Sequence, residues 1–194
     1  SLFDQTSIIL PKKGNTYYVF STGMSDSVAD NYLNHTYTEF DVLSYCVVDM
    51  DSNQSKGKVV LKDKVLAEKR HYGNTAISAV RHANGKDWWL VKADCDMGRY
   101  EEYIVSADTI TGPYFQYVTQ PGDFCFDLFS QLYFNHQGTQ MASSMYGTKF
   151  INGQDTIYDF NRVDLYDFDR CDGSITFKKY YMTPYDTSSY PNND

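Results

Sequence analysis

The chain has 194 residues, 25 Asp and Glu against 17 Lys and Arg, a net charge of −8, and 16% aromatic residues. Such an acidic balance argues against a nucleic-acid partner, whose phosphates need clustered Lys and Arg, and no apolar run reaches the length of a membrane span. With 18 Tyr and 12 Phe beside Val, Ile and Thr, the composition suits pleated, half-buried surfaces and predicts an all-β chain with no helix longer than two turns.

In chain order, the opening SLFDQTS has neither the charged nor the apolar part of a signal peptide. With no initiator Met either, a processed form or an excised fragment is expected. ILPKKGNTYYVFSTG, from Ile9, is a strand, a polar turn closing on Gly14 and a second strand. A polar stretch, Met24–Thr38, follows and is expected to be a long loop. SYCVVDMDSNQSKGKVVL, from Ser44, is a hairpin of another kind: a strand, an Asp (Asp51), a turn closing on Gly57, and a strand.

Both kinds recur. AVRHANGKDWWLVKA, from Ala79, turns at Gly85, and EEYIVSADTITGPYFQYV, from Glu101, carries Asp108 and Gly112. LYFNHQGTQMASSMYG, from Leu132, turns at Gly138, and VDLYDFDRCDGSITFKKYY, from Val163, carries Asp169 and Gly173. Two hairpins make a four-stranded unit, and such units of ~40–50 residues are the signature of propeller blades. The prediction is three antiparallel four-stranded blades over Ile8–Leu66, Ala76–Val118 and Gln131–Met182. Propellers close with about four to eight blades. The three are therefore expected to belong to a larger, seven-bladed propeller, completed by the same parent chain, another copy or a partner. The polar ending DTSSYPNND suits a linker into a further blade.

ISAVRHANGKDWWLVKA, followed by YIVSADTITGP, resembles the propeller repeats of large secreted or cell-surface proteins of the Bacteroidetes, substrates of type-nine secretion. The resemblance is close over residues 42–113; the first and third units share only the pattern, and no sorting domain is present. It implies an extracellular WD40-like scaffold and carries over no catalytic residue.

Candidate sites follow from residue chemistry. Trp88 and Trp89 must point to opposite faces of their strand, which suits two core rings between neighbouring blades better than a sugar platform. Asn84-Gly85 is expected to supply the positive φ angles of a tight hairpin turn. Asp49, Asp51 and Asn53, then Asp167, Asp169 and Asp172, and finally Asp94 and Asp96 loosely resemble calcium loops. However, Gln54 and Val60 stand where such a loop needs Gly and Glu, so turn chemistry is the expectation. His35, His71, His82 and His136 lack metal spacing, and no nucleophile elbow or phosphate loop occurs. No catalytic residue, metal or cofactor is therefore assigned. Cys46, Cys95, Cys125 and Cys171 leave open free thiols or up to two disulfides. Asn34-His-Thr and Asn53-Gln-Ser fit the glycosylation pattern.

The expected function is a non-enzymatic extracellular scaffold or binding module for a protein or glycan. Tyr32, His35 and Tyr37, in the Met24–Thr38 loop, are the candidate binding residues. The alternative is a fragment of a five-bladed glycosidase or carbohydrate-binding protein. A glycosidase would need two carboxylates roughly 5–10 Å apart at the propeller axis. The expected inner strands SIILPKK, AISAVRH and FSQLYFN carry none, only Asp4, Asp123 and Asp127 lying just before them, and no glycoside hydrolysis is predicted.

Overall fold

The computed structural model describes residues 7–34, 40–70, 72, 76–94, 97–118, 131–151 and 154–184. Its strands form three antiparallel four-stranded sheets, each an uninterrupted meander in which every strand pairs with its sequence neighbour. Sheet 1 contains β1 (Ser7–Pro11), β2 (Thr16–Gly23), β3 (Val42–Asp49) and β4 (Lys58–Ala67). Sheet 2 contains β5 (Ile77–Arg81), β6 (Trp88–Asp94), β7 (Arg99–Val105) and β8 (Ile110–Tyr117). Sheet 3 contains β9 (Gln131–Phe134), β10 (Gln140–Ile151), β11 (Gln154–Phe168) and β12 (Ile175–Pro184).

The sheets stack through two buried layers. Alternation in β2 turns Tyr18 and Phe20 to one side, where they meet Leu43 and Val47 of sheet 1 and Ile77, Leu90, Tyr103 and Val105 of sheet 2. The opposite parity in sheet 2, with Val80, Trp89, Val91 and Tyr100, packs on Leu132, Met141, Tyr166 and Phe168 of sheet 3. Sheet 2 is thus covered on both faces, and β6 is buried from Trp89 through Asp94. Both tryptophans are packing residues on opposite faces. Trp89 sits in the second layer, and Trp88, half-buried, packs against the first with the Arg81 guanidinium 4.5 Å from its ring centre. The first strands lie side by side, β5 against β1 and against β9.

Three expectations need correction. Within the stretch read as a loop, Asp26–Asn34 is a nine-residue helix, α1, longer than the two turns expected. Ser25 starts it: its carbonyl accepts from Ala29 N–H, and its own N–H and hydroxyl both donate to the buried Asp41 carboxylate, each at 2.6 Å. Tying Ser25 to the buried Asp41 fixes the start of this short polar helix, a tertiary anchor invisible to a search for long apolar periodicity.

The β5–β6 turn is also wider than a two-residue hairpin, because His82 N–H bonds Asp87 O. Only Gly85 takes positive φ (70°). Asn84 instead accepts from Lys86 and Asp87 N–H through its side chain, an Asx arrangement that closes the loop without the left-handed backbone. Gly112, finally, lies inside β8 rather than in a turn. Its φ of 131° follows a register shift opposite Tyr103, and a Cβ there would stand 2.7 Å from Glu102 O.

Candidate functional site

In a meander, the first and third connections fall at the same end of the sheet. The β1–β2, β5–β6 and β9–β10 turns therefore share one face with the β3–β4, β7–β8 and β11–β12 turns. Contacts between sheets fasten this face. Lys12 Nζ donates to Ala107 O at 3.0 Å, and Arg170 donates to Arg81 O at 2.8 Å and to Gln137 O at 2.9 Å. Trp89 Nε1 and Ala83 N–H both donate to Arg170 O, at 3.0 and 2.9 Å. Charge is unevenly spread. Lys12, Lys13, Arg81 and Lys86 stand with a single acid, Asp87, at the first-hairpin turns, whereas Asp51, Asp108, Asp169 and Asp172 outnumber Lys56 and Arg170 on the second-hairpin turns.

Between β5 and the β9–β10 turn runs a groove of about 330 Å³, lined by Ser78, Arg81, Trp88, Tyr133, His136 and Gln137 among others. The Arg81 guanidinium is stacked on Trp88 and donates through Nη1 alone, to Gly85 O and Lys86 O at 3.3 and 3.4 Å. Its Nε and Nη2 have no acceptor among the described residues.

The turn aspartates do turn chemistry. Asp49 accepts from Asp51 N–H at 2.9 Å and Ser52 Oγ–H at 2.7 Å, bonds that hold its carboxyl below the usual range, Ser52 first. Asp169 accepts from Cys171 N–H and Asp172 from Ser174 N–H, while Asp167 pairs with Lys178 at 3.0 Å. Among the described residues no three His, Cys, Asp or Glu gather as a metal site. Asp94 pairs with Arg99 at 2.8 Å, and Asp96 lies outside the described residues. Cys46 and Cys171 are free; Cys95 and Cys125 lie outside the described residues.

Two buried features were not foreseen. Between sheets 1 and 2, Glu101 (0% exposed) forms an ion pair with Arg70, Oε1 to Nε at 2.7 Å, and its Oε2 accepts from the hydroxyls of Tyr72 and Tyr103, each at 3.1 Å. Lys92 faces it directly across β6 and β7, with Nζ 4.5 Å from the Tyr72 ring centre. Burial brings the Lys92 ammonium down to about 7, against the pull of Glu101 and Asp94. Between sheets 2 and 3 lies Glu102, also 0% exposed, neither oxygen hydrogen-bonded among the described residues. It abuts Gly173, where a Cβ would stand 2.8 Å from Oε2. Burial, then the charge of Asp172, pushes its carboxyl up to about 8. The parity Leu90–Lys92–Asp94 and Glu101–Tyr103 was the available signal: charges alternating in phase with core residues.

Of the expected binding residues, Tyr32 belongs to α1, although its side chain is outside the description, and His35 and Tyr37 lie outside the described residues. Asp4, Asp123 and Asp127 also lie outside. Among the described residues no helix is long and apolar enough to cross a membrane. No protein-family profile matches the chain, and no curated protein is similar to it.

Proposed function

We propose that the chain is a set of β-propeller blades acting as a non-enzymatic binding or scaffolding module of a secreted or surface-attached bacterial protein. The observation that carries the reading is the stack: three consecutive meanders joined by two buried layers, with their first strands adjacent. That is how neighbouring blades meet around an axis. The two outward faces extend the argument. Ile9, Tyr17, Val19, Val48 and Met50 line an open hollow of about 440 Å³ on sheet 1, and on sheet 3 Val163 stands beside Tyr181, 56% exposed. Further blades bearing the same kind of face would cover them. The hairpin turns on the fastened face, held by backbone hydrogen bonds, form the rigid support on which proteins carry binding groups.

A non-enzymatic role is favoured by the position of the buried carboxylates. A raised carboxyl suits a general acid, but Glu102 is enclosed against Trp89 and Gly173, and Glu101 is engaged by Arg70 and two tyrosines. Neither reaches a surface where a glycosidic bond could lie.

Electron microscopy of the natural protein, with a panel of aryl glycosides and polysaccharides, tests the reading. The expected result is a closed ring with further four-stranded sheets on the outward faces and no turnover. Those faces paired with anything other than blades, or hydrolysis of even one glycan, would overturn it.

A further inference from the structure

We propose that the groove between β5 and the β9–β10 turn binds an acidic saccharide, with the Arg81 guanidinium as its carboxylate anchor. The inference rests on the binding-module reading and assigns that module a ligand class. The site is built before any ligand arrives. Arg170 ties the two walls together by donating to Arg81 O on one side and Gln137 O on the other. The Arg81 guanidinium lies over the Trp88 ring, 4.5 Å from its centre, and its Nη1 donates to the Gly85 and Lys86 carbonyls, so part of the ordering cost of a mobile arginine is already met.

The donors define the ligand. Nε and Nη2 of Arg81 form one edge of the fork, the edge that grips a carboxylate through two parallel hydrogen bonds. Of the two guanidiniums in the lining, Arg81 commits only Nη1 and keeps this edge open, whereas Arg170 spends Nε and Nη1 on carbonyls. Arg170 adds a second positive charge to the lining but keeps only Nη2 to donate, so the fork itself is offered by Arg81. The side chains of Ser78, His136 and Gln137 make no hydrogen bond among the described residues and offer polar groups for hydroxyls.

An acidic peptide fits less well. Extended peptides bind by pairing with an open strand edge, and here β9 already occupies the space beside β5. A volume of about 330 Å³ lies at the small end of ligand sites, the scale of a short saccharide. The net charge of −8 works against anionic ligands in general, so binding must be local to the turn-face cations and sensitive to salt.

Calorimetric titration of the full chain with trigalacturonate, neutral galactotriose, a sulfated oligosaccharide and hexaglutamate decides the matter. Trigalacturonate is expected to bind saturably and galactotriose about tenfold more weakly. Arg81→Gln should lose about tenfold in affinity, and Arg81→Lys, which keeps the charge but not the fork, should fall between. Arg81 is exposed, so both variants should melt with the wild type, and melting curves check this. No saturable trigalacturonate binding, equal binding by a normally melting Arg81→Gln, or tighter binding of hexaglutamate or the sulfated sugar would each overturn the proposal. The groove lies wholly within sheets 2 and 3. A closed ring without uronate binding therefore sinks this inference alone, whereas uronate binding without a ring sinks only the propeller.

Discussion

Trp89 and Arg170 are joined by a hydrogen bond of 3.0 Å from the indole N–H to the backbone carbonyl, across 81 residues of sequence. The bond joins sheet 2 to the β11–β12 turn of sheet 3, and the same indole packs edge-on against Phe168 and lies parallel to His82. Trp89→Ala should therefore destabilise the chain by about 3–5 kcal/mol, the usual cost of emptying a large aromatic site. Denaturant unfolding measures it, and a loss below 1 kcal/mol would show that sheets 2 and 3 do not depend on this ring.

The Glu102 carboxyl predicts a stability that falls with rising pH. Its ordinary value of 4.5 moves to about 8 in the folded chain, so between those values the folded state keeps a proton that the unfolded state releases. Stability from this group is undiminished below pH 4.5, declines through the window and is lowest above pH 8. Glu102→Gln should match the wild type near pH 4 and exceed it near pH 9 by on the order of 5 kcal/mol. Parallel melting curves for the two proteins across this range would contradict the assignment.

Glu101 predicts a non-additive response. Removing it leaves Lys92 and Arg70 facing a buried layer with one carboxylate fewer, and Glu101→Leu should cost about 3–5 kcal/mol. The double variant Glu101→Leu/Lys92→Met removes both members of the facing pair and should recover part of that loss. A double-mutant cycle reads the coupling directly; additive losses would mean that the two residues do not interact.

At the tip of the β9–β10 turn, Gly138 has φ of 71°, and a Cβ there would collide with Val80 Cγ2 and meet Arg170 Cδ at 3.0 Å. Gly138→Ala combines positive-φ strain with overpacking and should cost about 1–3 kcal/mol. Gly85→Ala, at φ 70° with nothing within 4 Å of the added carbon, carries the strain alone and should cost less. Equal losses would remove the packing component.

By itself the sequence determined the three four-stranded units, because hairpin order, alternation and turn residues are local properties. Gly14, Gly57, Gly85, Gly138 and Gly173 mark connections where the chain reverses, each at positive φ, and tyrosine and valine fill the strands between them. The same periodicity placed Trp88 and Trp89 on opposite faces. Two readings slipped: Asn84 closes its turn with a side chain instead of a left-handed backbone, and Ser25, tied to Asp41, starts a helix too short and polar to show an apolar stripe.

What only the tertiary structure decided lies between the sheets. Lys92, Glu101 and Glu102 are charged letters in strands whose neighbours are core residues, and composition marks such letters as surface. They are buried because sheet 2 is covered on both faces, a fact about packing that no single strand contains. The groove has the same origin. Arg81, Tyr133 and Arg170 are far apart in sequence, and none has a motif to announce it. They become one site because Arg170 reaches two carbonyls on different sheets, and that reach exists only once the sheets stand side by side.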